Sequence, residues 1–181
     1  MVKVERESNS EKVIKAKEIL DKEKNKNNGN YNQPAVVDAL KVVFNNKCYL
    51  CENKKITSYN IEHLKPHRNE DKNLKFSWEN LFLACAHCNN IKSDKYENIL
   101  DCTEIEVEKL ISFRKTGSFA WEEKIEIIGL NEDKAVKETV ELLEKIYEGN
   151  TFLKTMESLN IRKELRNNSF SYRIYFIYRH L

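Results

Sequence analysis

The chain of 181 residues lacks several features that would assign it a class at once. No apolar run reaches the roughly 20 residues needed to span a bilayer, so no membrane helix is expected. The opening residues, Met1-Val2-Lys3-Val4-Glu5-Arg6-Glu7, hold no apolar h-region, so no secretory leader is expected and a cytoplasmic, reducing setting is. There is little excess charge. A formal net charge of +2 is too small to argue for nucleic-acid binding, so any such reading rests on a site and on local basic patches. Internal repeats are absent, and low complexity is confined to the short run Asn25-Lys26-Asn27-Asn28-Gly29-Asn30. Hydrophobic residues at 40% and charged residues at 33% exclude wholesale disorder and leave enough apolar material for a core.

Periodicity gives a coarse map. Glu5 to Lys24 carries a weak helical stripe (Val13, Ile14, Lys17, Leu20), and the Asn/Lys run after it reads as an exposed loop or linker. Pro34 suits a helix start, and Val36, Val37, Leu40, Val43 and Phe44 follow at helical spacing until Asn45-Asn46. Asp101 to Gly117 is expected to be mostly helical. Ile125 to Leu130 is short and β-branched, Asn131 is placed to cap the next helix, and that helix carries Val136, Val140, Leu143 and Tyr147. A last helical stretch starts near Thr151. The segment Ser169 to Leu181 is aromatic and basic and leans towards helix.

Five cysteines stand out against this background. Four form two Cys-x-x-Cys pairs, Cys48/Cys51 and Cys85/Cys88, and Cys102 is left over as a free, partly buried thiol. In a reducing compartment such pairs more often hold metal than form disulfides. Two tight turns, each offering two thiolates, complete a tetrahedral shell that suits Zn²⁺. A four-thiolate shell leaves no open position, so the ion is expected to be structural. A redox pair is the alternative. His87, between Cys85 and Cys88, is expected at the surface facing solvent or nucleic acid, with replacement of a cysteine ligand as its other reading.

Lys47-Cys48-Tyr49-Leu50-Cys51-Glu52, Ile61-Glu62-His63-Leu64-Lys65-Pro66, Trp78-Glu79-Asn80-Leu81 and Ala84-Cys85-Ala86-His87-Cys88-Asn89-Asn90-Ile91-Lys92 follow one another in order. Together they resemble an HNH endonuclease of the four-cysteine type, over roughly residues 47 to 96. The resemblance implies an α+β, mostly helical chain with a small ββα-metal core. Three regions are expected: an N-terminal helical region (1–46), the nuclease core (47–100) and a mainly helical C-terminal region (101–181). It also implies roles. His63 would be the general base that activates water, and Asn80 would tie down the loop between the strands. Glu62 and Asn89 would be ligands of the catalytic divalent ion, with Glu62 standing where the family usually has Asp.

Elementary chemistry agrees with those roles. Neutral imidazole accepts a proton near physiological pH, and carboxylate and amide oxygens suit Mg²⁺ or Mn²⁺. Strand alternation sends Glu62 and His63 to opposite faces, so a bend near Pro66 is expected if both are to address one phosphate. His67 reads as an exposed loop histidine, a further ligand or a phosphate contact, and Lys92 as a phosphate contact or a solvated lysine. Lys65, Arg68, Lys72 and Lys75 form a basic loop that either grips a nucleic-acid backbone or is merely solvated. Arg162, Lys163, Arg166, Arg173 and Arg179, interleaved with Tyr172, Tyr175 and Tyr178, form a second basic set suited either to packing or to an interaction face.

The wider layout, with Gly117 and then Glu126-Ile127-Ile128-Gly129-Leu130-Asn131 leading into a helix, resembles the HNH subunit of Septu-type and retron-associated anti-phage systems. That resemblance implies a DNA substrate and an ABC/SMC-like ATPase partner docking on the flanking helical regions. Lys134 and Lys137 stand where such proteins commonly have Arg. The alternatives are a stand-alone restriction or homing nuclease and a non-catalytic zinc module that binds nucleic acid or protein.

Overall fold

The structure is a computed structural model that describes residues 1–6, 9–56, 58–116, 124–149 and 157–164. Gly117, Thr151 to Met156, Arg166 and the aromatic, basic segment from Ser169 to Leu181 lie outside the described residues.

Two helices precede the core. Helix α1 (Glu11–Lys24) starts where the Ser10 side chain accepts the Val13 N–H, and buries Val13, Ala16 and Leu20 along one stripe. Helix α2 (Pro34–Val43) begins on a proline whose missing N–H costs nothing there, and buries Val36, Ala39, Leu40 and Val43. It ends as Asn45 and Asn46 both turn into the left-handed region, which asparagine tolerates better than most residues. The Asn/Lys stretch between the helices is an exposed loop, as expected, and it is tied down at one point. Glu23 Oε2 accepts the Asn30 N–H at 2.9 Å, and a Cβ at Gly29 would lie 1.9 Å from the Glu23 carbonyl oxygen, so the turn closes against α1 only with glycine there.

The core is a two-stranded antiparallel sheet followed by a helix. Strand β1 (Tyr59–His63) pairs with β2 (Leu81–Cys85) in a register that sets Tyr59 opposite Cys85, Glu62 opposite Phe82 and His63 opposite Leu81. All five residues of β2 are buried, which explains its unbroken apolar run. Between the strands sits the short helix α3 (Lys72–Phe76), capped by Asp71 Oδ1 at the N–H groups of Asn73 and Leu74. A 3₁₀ turn, Trp78–Asn80, leads into β2. Helix α4 (Ala86–Lys92) follows β2 without a break. The architecture is therefore α+β, with helices flanking a small ββα unit.

The region after the core departs from expectation. Asp101 to Thr116 holds only the 3₁₀ turn Val107–Lys109 before strand β3 (Ile111–Thr116) begins. It pairs antiparallel with β4 (Lys124–Gly129), with Ile111 opposite Gly129 and Phe113 opposite Ile127. In β4, Ile125 and Ile127 are buried while Lys124, Glu126 and Ile128 are exposed, a period of two. A β-branched strand of that kind needs a partner, and Ile111 to Thr116 supplies it in place of a helix. Helix α5 (Lys134–Tyr147) packs on β4 and α4 through Val136, Leu142, Leu143, Ile146 and Tyr147. Its N-cap is Asp133, and Asn131 acts one step earlier by accepting the Asp133 N–H. Residues 157–164 are helical.

Cys102 is fully rather than partly buried, and burial pushes its thiol up to about 12. No helix among the described residues is long and apolar enough to cross a membrane.

Candidate metal centre and active site

The four cysteines converge. Cys48, Cys51, Cys85 and Cys88 are all buried and their sulfur atoms lie within 4.8 Å of one another. The Sγ atoms of Cys51 and Cys85 are 3.9 Å apart. A tetrahedral ion with sulfur ligands at about 2.3 Å needs sulfurs about 3.8 Å apart, so the quartet fits Zn²⁺. The Cys88 N–H points at Cys85 Sγ, 3.5 Å away, as the first turn of α4 wraps around that sulfur. Burial drives the Cys88 thiol well above its ordinary range, and a divalent cation is what would hold four buried sulfurs as thiolates. Among the described residues this is the one place where three or more His, Cys, Asp or Glu ligand atoms converge.

His63 ends β1 and is buried at 6% exposure. One ring nitrogen, Nε2, lies 3.0 Å from the Lys75 carbonyl oxygen. A carbonyl only accepts, so Nε2 carries the proton and Nδ1 keeps the free electron pair. Burial holds the imidazole down at about 4, with the neighbouring His67 and lysines pushing the same way, so the ring is neutral at physiological pH. Two further rings enclose it. Tyr31 meets it edge-on with centroids 4.7 Å apart, and His67 does so at 4.4 Å. His67 Nδ1 accepts the Asn69 N–H at 2.9 Å, which leaves the proton on Nε2 and removes His67, as placed, from the set of metal ligands.

Asn80 holds the connection between the strands. Its Oδ1 accepts the Lys65 N–H at 2.8 Å, and its Nδ2 donates to the carbonyls of Lys65 and Leu74, each at 3.0 Å. The second of these fixes α3, whose Lys75 carbonyl orients His63.

Glu62 faces away from that group of rings, as strand alternation requires. Its carboxylate meets Lys92 on α4, with Nζ 2.9 Å from Oε1, and the same ammonium donates to the His63 carbonyl at 2.7 Å. Burial raises the Glu62 carboxyl, and the Lys92 charge is the largest influence pulling it back. Lys92 is thus neither a phosphate contact nor a solvated lysine; it is fully buried. Asn89 lies half-buried in α4, one turn before Lys92. The oxygen donors of Glu62 and Asn89 suit a hard divalent ion by their chemistry, although one Glu62 oxygen already holds a cation.

His87 corrects a further expectation. It is buried, not at the surface. Its Nδ1 meets Glu157 Oε2 at 2.6 Å and its Nε2 meets the Ile146 carbonyl at 3.0 Å. From between two zinc-site cysteines it therefore ties α4 to the end of α5 and to residues 157–164. Ser158 Oγ donates to the same Ile146 carbonyl at 2.6 Å. Arg162, grouped by sequence with the basic C-terminal set, turns inward to the Tyr147 carbonyl and to Glu148. In the loop after Pro66, Arg68 pairs with Glu97 and the Lys75 ammonium reaches Asn69 Oδ1, while Lys65 and Lys72 are exposed.

Tyr31 and the buried form of Lys92 escaped the sequence reading. Nothing near Tyr31 signals a role, since it lies in the connection between α1 and α2. Lys92 gave a usable signal: three residues after Asn89 on a helix, it shares that face.

Residues 48–95 match the family model described as HNH endonuclease. No curated protein and no solved structure matches the chain. The matched segment begins at Cys48 and ends three residues past Lys92, so the ββα unit, the cysteine quartet and the His63 site all fall within it, while Tyr31, α5 and residues 157–164 lie outside it.

Proposed function

We propose that this HNH domain is a metal-dependent endonuclease that hydrolyses phosphodiester bonds of DNA, and that the chain is the nuclease effector of an anti-phage complex with an ATPase partner. The observation that carries the catalytic part is the state of His63. It is buried, neutral, and oriented by the Lys75 carbonyl so that Nδ1 is the basic atom. In the proposed reaction Nδ1 takes a proton from the attacking water. Asn80 keeps the His63 surroundings in place by holding the loop that carries Lys65 and Leu74. Glu62 and Asn89 are the residues that would hold the catalytic Mg²⁺ or Mn²⁺, an ion that supplies positive charge against the developing negative charge on phosphate. The zinc quartet fixes the start of α4, and with it Asn89, relative to β1.

The defence role rests on the sequence resemblance of the region after the core. The flanks outside the HNH match, with α1, α2 and α5, are the surfaces offered to the ATPase.

The test is cleavage of supercoiled plasmid with Mg²⁺ or Mn²⁺, by the chain alone and together with an ABC/SMC-like ATPase that co-purifies with it. Wild type is expected to nick and His63→Ala is expected to be inactive. Equal nicking by both sinks His63 as the base. Cleavage by wild type alone, unchanged by the ATPase, sinks the two-component reading and leaves a stand-alone nuclease.

A further inference from the structure

The Lys92 ammonium is the charged group of this site to which the proposed reaction gives no task. It is fully buried, and its contacts are Glu62 Oε1 and the His63 carbonyl. A lysine withdrawn from water in this way is tolerated only with close partners, and Glu62 and the His63 carbonyl are those partners. Glu62 itself is only 7% exposed, which leaves little water to screen whatever binds there.

A divalent ion bound to the Glu62 carboxylate sits about 2.1 Å from its oxygen. The ammonium is 2.9 Å from Oε1 of the same group. Two cations held on one small, buried carboxylate lie roughly 4 to 5 Å apart. Even at an effective dielectric of about 20, a double and a single positive charge at that distance repel with several times the worth of the hydrogen bond that holds the lysine.

We propose that Lys92 is the resident cation of the Glu62 carboxylate, and that a divalent ion and the Lys92 ammonium compete for it. The inference rests on the reading of Glu62 as a donor to the catalytic ion. Lys92 keeps Glu62 and the His63 main chain in place while no divalent ion is bound, and it sets how much divalent ion the site needs before it is occupied.

The experiment is Mn²⁺ binding to the zinc-loaded full chain, followed by the paramagnetic resonance signal of free Mn²⁺. Wild type, Lys92→Met, Glu62→Gln and the double variant form a cycle. Lys92→Met is expected to bind Mn²⁺ about tenfold or more tightly than wild type, and that gain is expected to vanish in the Glu62→Gln background. Affinity that is unchanged or weaker in Lys92→Met overturns the competition, as does a gain that persists without Glu62. If Glu62→Gln binds Mn²⁺ as tightly as wild type does, the donor role of Glu62 fails instead. If Lys92→Met does not fold by circular dichroism, amine acylation of the wild type followed by peptide mass analysis decides. Lys92 labelling is expected to rise with Mn²⁺, and labelling that stays flat overturns the proposal.

Discussion

Asn80 grips the main chain of Lys65 on both sides, accepting its N–H at 2.8 Å and donating to its carbonyl at 3.0 Å. The Asn80 carbonyl adds a third tie by accepting the Leu64 N–H at 2.9 Å. One residue, 6% exposed, thus sets the path of the chain as it leaves β1. Asn80→Ala removes three hydrogen bonds from the partly buried main chain of Lys65 and Leu74 and is expected to cost roughly 1 to 3 kcal/mol, read as a lower urea midpoint with an unchanged slope. Asn80→Asp keeps the acceptor but loses both donations, and is expected to fall below wild type as well.

The His63 ring imposes a pH dependence of known sign. Its folded value of about 4 lies below the ordinary 6.5, so the unfolded chain binds the proton first. The stabilisation is complete above pH 6.5 and drains away as the pH falls towards 4, by roughly 3 kcal/mol in total. His63→Gln lacks that titration. Urea melts at pH 7, 5.5 and 4.5 are expected to show the wild type losing stability faster than the variant, and parallel losses would refute the assignment.

Zinc is expected to contribute to folding directly. Cys48→Ser breaks the quartet and is expected to lose the metal, measured by atomic emission, and to lower the melting temperature by roughly 10 °C or more. A strong chelator is expected to do the same to wild type. Unchanged zinc content in Cys48→Ser would sink the four-thiolate site.

His87→Ala separates the ligand set from what leans on it. Its loss removes the links to Glu157 and to the Ile146 carbonyl and is expected to cost about 1 to 3 kcal/mol. Amide exchange is expected to speed up across residues 157–164 and at the end of α5 while zinc content stays at that of wild type. Loss of zinc in this variant would make His87 a ligand after all.

What the sequence disclosed depended on the range of the interaction. Two Cys-x-x-Cys turns bring sulfurs together within three residues, so the quartet is legible from spacing, while the β–β–α order around it is legible only through the resemblance of the motifs to HNH nucleases. Helices α2 and α5 were legible from their stripes. Asp101 to Gly117 reads as mostly helical because Ile105, Leu110, Ile111 and Phe113 fit a helical stripe loosely, and only the pairing with β4 settles Ile111 to Thr116 as strand. The burial of His87 depends on Ile146 and Glu157, which are 59 and 70 residues away. Tyr31 reaches His63 through a turn that needs Gly29 beside Glu23. Spacing within a motif carries no trace of such partners.

The loop between Cys48 and Asn53 is also where distant parts of the chain meet. Val2 donates to Glu52 Oε1 across 50 residues, and the Tyr147 hydroxyl lies 3.4 Å from the Cys51 carbonyl across 96. Contacts of such long separation are slow to form, because the entropy of closing the loop is lost before anything is gained. A metal ion held by the quartet would order this landing place beforehand. Refolding of the metal-free chain is therefore expected to be slower than refolding in the presence of zinc, and not only to end in a less stable product.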